Sequence, residues 1–174
     1  LGSASIEIEF ANEGRSAGPL RLLASGDIGP DAKLLQPDPK APANFDYVIS
    51  ESTYGDRIRA ATTPQQRRAR LAAEVRDAAN ARGALLIPAF AVERTQELLV
   101  DLVGLMARGE VPAAPIFLDS PLAIHATEVF RKHAASLDDD VDINKIFNSP
   151  HLRFTETVSE SKAIAKLTGF HIVI

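Results

Sequence analysis

The chain has 174 residues, of which 45% are hydrophobic, with no cysteine and a net charge of −4. It is long enough to bury the core of one domain and part of another. Without cysteine it has neither disulfides nor thiolate metal sites. No run of about 18 apolar residues is present, so we expect no segment to span a membrane and predict a cytoplasmic protein. The negative charge, taken alone, argues against nucleic acid as a partner.

The first 54 residues predict three β-strands. Alternating apolar and acidic residues at 5–11 predict an edge strand or a half-exposed strand. Two apolar runs, at 20–24 and 45–49, predict short buried strands. The segment 37–42 contains three prolines and predicts an irregular loop.

From Thr63 onward the pattern alternates between helix and strand. The sequence predicts helices at 63–82, 93–108, 121–136 and 157–167, and strands at 84–88, 115–118 and 170–174. Thr63 and Gln66 have the spacing of a capping box, and Pro64 suits the first helical turn. Strands joined by helices at this spacing predict a mostly parallel sheet with flanking helices, which is an α/β fold.

Two carboxylates, Asp27 and Glu51, each follow an apolar run that predicts a strand. An aspartate before Ile-Gly-Pro is also typical of a turn, and a glutamate at such a point is also typical of a helix cap or an exposed acid. The preceding strands favour a shared site. The sheet holds the backbone rigidly at a strand end, and an acid buried there is suited to metal binding or proton transfer.

Polar residues also follow two predicted strands of the second region. In an open parallel sheet, ligands bind beyond the carboxyl ends of the strands, which places residues 89–90 and Asp119–Ser120 on one rim. Ser120 is expected to cap a helix, to contact substrate, or both. Arg94 lies in a first helical turn, where phosphate contact and a buried ion pair are equally open. Asp119 fits either a rim acid or a turn residue.

Charged residues and histidines are unevenly distributed. Seven arginines lie between Asp56 and Arg82 against three acids, and such a strip either follows a phosphate backbone or forms a solvated helix face. The acids at 138–140 and 142 predict a solvated loop. The four histidines lack ligand spacing to one another, so we predict surface or packing roles for them. They are His125, His133, His151 and His171.

Four segments follow one another in a specific order and spacing. They are SGDIG at 25–29, ESTYGDR at 51–57, IPAFAVERTQELL at 87–99 and FLDSPLAIHATEVF at 117–130. Together they resemble the β-CASP group of metallo-β-lactamase-fold nucleases. The resemblance covers the whole chain and implies an α/β architecture in two parts. Residues 1–58 would be part of the metallo-β-lactamase sandwich, and residues 59–174 a β-CASP cap domain truncated at its C-terminal end. Close relatives often have histidine in place of Arg59 and glycine in place of Glu93.

The resemblance also implies roles for individual residues. Asp27 would be the aspartate that bridges two zinc ions, as a metal ligand. Glu51 would be catalytic without binding metal, because it would orient a histidine that protonates the leaving oxygen. The candidate substrate-binding residues are Ser120, Arg94 and Arg57. The implied activity is zinc-dependent hydrolysis of RNA phosphodiester bonds in RNA processing or decay. A DNA-processing nuclease of the same group and a catalytically silent nucleic-acid-binding scaffold subunit are the alternatives.

Both ends of the chain resemble the middle of a longer enzyme of this kind. Residues 1–4 resemble those that follow the third metallo-β-lactamase histidine, so the His-x-His-x-Asp-His cluster would lie upstream. Two further histidine motifs would follow the last strand. We therefore expect two zinc ions in the longer enzyme, and we expect this chain alone to hold none and to be inactive. The sequence does not decide between endonuclease and exonuclease, or between a monomer and a homodimer.

Overall fold

A computed structural model describes residues 3–11, 18–29, 33–36, 42–58, 62–137 and 142–174. The predicted irregular loop at 37–42 and the acidic loop at 138–142 therefore lie largely outside the described residues, as does Arg59. The chain divides into two compact units, Leu1–Lys33 with Asp38–Ala61 and Leu34–Pro37 with Thr62–Ile174. The domain assignment made from the sequence stays a prediction, and each unit is described by itself.

The first unit contains a three-stranded mixed sheet. Its strands are β1 (Ile6–Phe10), β2 (Leu20–Ala24) and β3 (Tyr47–Ile49), in the order β1-β2-β3. β1 is antiparallel to β2, and β3 is parallel to β2. β1 lies at an edge of the sheet, as predicted, and all five of its residues are exposed.

The prediction that the other two strands are buried was wrong for β3 and only partly right for β2. All three residues of β3 are exposed, and only Leu23 of β2 is fully buried. An apolar run indicates burial on both faces only when a layer packs on each of them. β3 is an edge strand, and its side chains stay exposed in the described part of the chain.

The second unit is an α/β layer structure built on a four-stranded sheet. Its elements are α1 (Pro64–Asn80), β4 (Ala84–Leu86), α2 (Arg94–Ala107), β5 (Ile116–Leu118), α3 (Pro121–Lys132), α4 (Ile143–Phe147), β6 (Leu152–Phe154), α5 (Val158–Ile164) and β7 (His171–Val173). The strand order is β4-β7-β5-β6, and every pair is parallel. The predicted parallel sheet with flanking helices is confirmed. α4 and β6 were not predicted.

Helix starts in this unit follow the capping residues of the sequence. The Thr63 hydroxyl accepts a hydrogen bond from the N–H of Gln66, whose side chain accepts one from the N–H of Thr63, so the predicted capping box is present. Ser120 caps α3 by accepting from the N–H of Ala123 at 3.3 Å. Thr157 and Glu160 form a second capping box at the start of α5. Each of these caps satisfies backbone donors that the helix itself leaves without a partner.

The core of the second unit lies between the sheet and its helices. Leu99, Leu102 and Leu105 of α2 are fully buried, together with Ile116 of β5 and Ile172 of β7. This packing fixes α2 against the central strands, and with it the loop that joins β4 to α2. None of the helices in the described ranges is both long and apolar enough to cross a bilayer.

Candidate functional site

Asp27 lies just beyond the carboxyl end of β2 on a tightly constrained turn. Gly26, the residue before it, has φ +59, and a Cβ at that position would lie 2.5 Å from the carbonyl oxygen of Ala4. The backbone N–H of Asp27 donates a hydrogen bond to the Ser3 hydroxyl. The Asp27 side chain is exposed, and its carboxylate makes no hydrogen bond or ion pair within the described residues. The turn therefore holds the backbone firmly and leaves the carboxylate free.

Glu51 lies just beyond the carboxyl end of β3, and each of its two carboxylate oxygens accepts a hydrogen bond. Oε1 accepts from the backbone N–H of Ile28 at 3.1 Å, and Oε2 accepts from that of Thr53 at 2.9 Å. The backbone N–H of Glu51 donates to the Ser25 hydroxyl at 3.0 Å. Hydrogen bonds from Thr53, and then from Ile28, lower the pKa of Glu51 below its usual range, because they favour the ionised form. Glu51 thus ties the segment that carries Asp27 to its own segment.

β2 and β3 bring these two segments together because they are parallel neighbours. Ala24 pairs with Ile49 in the register, and the N–H of Ser25 donates to the carbonyl of Ile49 at 2.9 Å. Two parallel strands end at the same edge of a sheet. Asp27 and Glu51 therefore belong to one edge, as the sequence predicted, although they differ in what their carboxylates can do.

Among the residues that the structure describes, Asp27 is the acid at this edge whose carboxylate has no hydrogen bond or ion pair. An exposed carboxylate on a constrained turn fits a zinc ligand. The Glu51 oxygens already accept from two backbone N–H groups, which fits a residue that does not bind metal. Among the described residues, no group of three or more His, Cys, Asp or Glu side chains is arranged to hold a metal ion.

Arg57 and the two other candidate substrate-binding residues occupy different settings. Arg57 belongs to the first unit and is exposed, with its Nε 3.8 Å from Asp56. Arg94 begins α2 in the second unit, and Nη1 pairs with Glu97 at 2.8 Å. The Arg94 side chain remains 56% exposed. Arg94 therefore forms an ion pair with a buried acid but is not itself buried, and the exposed part of its guanidinium keeps donors for a phosphate.

Ser120 and Asp119 follow β5. The Ser120 hydroxyl is used as the cap of α3, which is the structural role predicted for it. Asp119 Oδ2 accepts a hydrogen bond from the Ser161 hydroxyl at 2.9 Å, and both residues line an open groove of about 590 Å³ beside β4, β7 and α5. Asp119 is therefore a rim acid that contacts α5.

The arginine-rich stretch is not a uniform solvated face. Arg67 Nε lies 3.1 Å from Asp101 Oδ2, and Arg68 Nε lies 3.8 Å from Asp101 Oδ1. Asp101 is buried, and this burial raises its pKa against the opposing effect of Arg67. Two arginines of the predicted basic strip therefore neutralise a buried acid, and the strip available to a phosphate backbone is shorter than the sequence suggests.

The histidines show no arrangement typical of metal ligands within the described residues. His171 is buried, its Nδ1 lies 2.9 Å from the carbonyl of Gly169, and its ring packs edge-on against Phe117. His125 and His133 are exposed on and just after α3. His171 thus has a packing position, and His125 and His133 have surface positions.

The sequence analysis missed the polar residues that fix the loop between β4 and α2. Thr95 and Gln96 are buried, and both donate hydrogen bonds to carbonyl groups of this loop. Glu97 is also buried and pairs with Arg94. These residues are consecutive in the segment ERTQE at 93–97. That pattern could have predicted the bonds, because polar residues in a first helical turn often bond to the preceding loop.

Comparison with known proteins places these features in a family. Residues 95–174 match the family model of the Beta-Casp domain. Over 99% of its length the chain is 33% identical to Ribonuclease TTHA0252 of Thermus thermophilus, and it covers 39% of that protein. Over 76% of its length it is 31% identical to the RNase J-like protein of Methanocaldococcus jannaschii, of which it covers 30%.

A eukaryotic relative shows a similar match. The chain is 29% identical, over 88% of its length, to cleavage and polyadenylation specificity factor subunit 3 of Dictyostelium discoideum. It covers 19% of that protein. The chain thus spans well under half the length of these relatives.

Proposed function

Because this chain belongs to the β-CASP group of metallo-β-lactamase-fold proteins, we propose that it is the central part of a zinc-dependent ribonuclease that hydrolyses RNA phosphodiester bonds. The observation that carries the proposal is that Asp27 and Glu51 lie beyond the ends of neighbouring parallel strands. The Glu51 carboxylate accepts from backbone N–H groups, and the Asp27 carboxylate has no partner among the described residues. The similarity to proteins named as ribonucleases supports RNA as the substrate.

In this proposal Asp27 is one ligand of the zinc site. Its carboxylate is exposed and has no partner within the described ranges, and the turn at Gly26 holds its backbone in place. Bound zinc would supply Lewis-acid polarisation of the phosphodiester and a hydroxide at neutral pH. The contribution of this chain is to hold in place the backbone that carries the Asp27 carboxylate.

Glu51 has a positioning role in the same site. Its hydrogen bonds from Ile28 and Thr53 fix the carboxylate in its ionised form beside the Asp27 turn. An ionised carboxylate so held can accept a further hydrogen bond from a histidine and orient it as a proton donor. Glu51 would then affect proton transfer more than metal content.

Arg94, Arg57 and Ser120 are proposed to contact the RNA backbone. Arg94 and Arg57 are both exposed and retain guanidinium donors, and arginine forks match the geometry of phosphate oxygens. Ser120 lies at the carboxyl end of β5, where ligands bind in open parallel sheets, although its hydroxyl also serves α3.

The test compares two proteins on the same substrates. One is the chain extended at both ends to the length of its relatives, and the other is the 174-residue chain alone. Each is incubated with labelled RNA and with DNA of the same sequence, with added zinc and after chelation. We expect zinc-dependent cleavage of RNA by the extended protein and no cleavage by the chain alone. Failure of the extended protein to cleave RNA with zinc present would overturn the proposal.

A further inference from the structure

Phe90 is an aromatic side chain that is 86% exposed at the carboxyl end of the parallel sheet. It follows β4 by four residues, in the loop that leads to α2. Single exposed apolar residues are common on protein surfaces and by themselves indicate nothing. Phe90 differs from such residues because hydrogen bonds from buried side chains hold the backbone of its loop.

Two buried side chains of α2 hold the loop at Phe90. The Thr95 hydroxyl donates to the carbonyl of Phe90 at 2.8 Å, and the backbone N–H of Thr95 donates to the same oxygen at 3.3 Å. Gln96 Nε2 donates to the carbonyl of Ala91 at 3.1 Å. Thr95 is 1% exposed and Gln96 is fully buried. The loop is therefore anchored to the core at the residue that carries the exposed ring.

The anchoring continues into the core. Gln96 Nε2 also donates to the Thr127 hydroxyl at 3.0 Å, and this hydroxyl donates to the carbonyl of Ala123 at 2.8 Å. The chain of hydrogen bonds joins the loop to α3 through groups that are shielded from water. Gln96 Nε2 uses both of its N–H groups in these bonds, whereas Gln96 Oε1 is buried without a hydrogen-bond partner among the described residues. Breaking either bond would leave a further buried group unsatisfied, which favours this one loop conformation.

The far side of the loop is a strained turn. Glu93 has φ +69 and ψ −63, and the N–H of Arg94 donates to the carbonyl of Val92 at 2.9 Å. These values define a classic γ-turn, which is rare for residues other than glycine. Strain of this kind persists where the surrounding structure holds it, and it often occurs at binding sites.

Arg94 adds a cation directly after this turn. Its guanidinium is oriented by Glu97 at 2.8 Å and is still 56% exposed. An exposed aromatic ring and an exposed guanidinium thus lie four residues apart, at Phe90 and Arg94. The ring suits the base of a nucleotide, and the guanidinium suits the phosphate.

We propose that Phe90 stacks on a base of single-stranded RNA, which makes the anchored loop at 89–93 a nucleotide-binding element. This inference rests on the proposed ribonuclease function and names the part of the substrate that the loop binds. A base inside a duplex has no free face to offer, so the bound strand is single-stranded at this position. Because any base has a stacking face, we expect Phe90 to contribute affinity without strong sequence preference.

The experiment measures stacking directly. The extended protein carries Asp27→Asn, so that RNA stays intact, and binds a single-stranded RNA in which successive positions hold the fluorescent base 2-aminopurine. At one position we expect quenching on binding that Phe90→Leu abolishes and Phe90→Tyr retains. Loss of one stacked base should weaken binding by about 5- to 150-fold. Phe10→Leu, at an exposed phenylalanine of β1, is the matched control and should change nothing.

Two results would overturn the inference, and they separate it from the ribonuclease proposal. If Phe90→Leu binds RNA as tightly as the parent protein and the quenching is unchanged, Phe90 does not stack on a base. The proposal that RNA is the substrate would be unaffected by that result. If Phe90→Leu loses binding together with a lowered melting temperature of the protein, the ring packs against protein and not against a base. Absence of any RNA binding by the parent protein would overturn both proposals.

Discussion

The Glu51 carboxylate accepts a hydrogen bond at 3.1 Å from the backbone N–H of Ile28, the residue that follows Asp27. This bond links the ends of β2 and β3 through a charged side chain, in addition to the backbone pairing of the two strands. It explains why a glutamate that we do not assign to metal can still matter to a metal site. Through this bond Glu51 supports the turn that carries Asp27.

This arrangement predicts how stability depends on pH. The pKa of Glu51 is lowered in the folded state from an ordinary value of 4.5. Its contribution to stability is therefore complete above pH 4.5 and is lost as the pH falls below that value. Glutamine does not titrate, so we expect the free energy of unfolding of Glu51→Gln to fall less between pH 7 and pH 3 than that of the unaltered chain.

Glu160 provides the control for this measurement. Hydrogen bonds from Thr157 and then Glu156 lower its pKa in the same direction, but it caps α5 in the second unit. Glu160→Gln should also reduce the fall in the free energy of unfolding between pH 7 and pH 3. It should leave RNA cleavage by the extended protein unchanged. An identical pH dependence in Glu51→Gln and the unaltered chain would contradict the assigned hydrogen bonds.

Gly26→Ala should disrupt the turn that carries Asp27. The new Cβ would meet the carbonyl oxygen of Ala4 at 2.5 Å, and the residue would also need φ +59. We expect a loss of about 2–5 kcal/mol in the free energy of unfolding, from backbone strain and steric overlap. Gly18→Ala is the matched control, because Gly18 has φ +88 with nothing within 4 Å of the added carbon. It should cost only about 1–2 kcal/mol. Equal losses for the two variants would show that the close approach to Ala4 is wrong.

Glu93→Gly should be more stable than Glu93→Ala, because only glycine relieves the strain of the γ-turn. Release of the γ-turn strain, about 1–3 kcal/mol, exceeds the entropy that glycine adds to the unfolded chain, about 0.4–1 kcal/mol. Glu93→Ala also removes the carboxylate but keeps a Cβ, so it should show no such gain. Chemical denaturation of both variants measures the difference. If the alanine variant is as stable as the glycine variant, φ at this position is not positive.

The sequence predicted those elements whose determinants are local. The capping box of Thr63 and Gln66, the cap at Ser120 and the parallel sheet all depend on neighbouring residues or on regular spacing. α4 was missed because it has only five residues, too few for a periodic pattern. β6 was missed because Arg153 interrupts it, whereas β4 and β5, which are equally short, are continuous apolar runs.

Features that depend on distant partners could not be predicted from the sequence. The burial of Asp101 depends on Arg67, which precedes it by 34 residues, and no local pattern indicates that pairing. The sequence placed Asp27 and Glu51 at strand ends, but their different bonding depends on the register of β2 and β3. The sequence shows Glu93 where relatives often have glycine, and only the backbone angles show that a γ-turn lies there.

The measurement closest to the central claim is the zinc content of two variants of the extended protein, determined beside their RNA cleavage rates. Asp27→Asn discards the charge of a free carboxylate, so we expect it to lose most zinc and most activity. Glu51→Gln leaves that carboxylate in place, so we expect zinc to be retained while turnover falls by about 10- to 100-fold. Zinc retained in full by Asp27→Asn, or lost from Glu51→Gln to the same extent, would contradict the roles assigned to the two carboxylates.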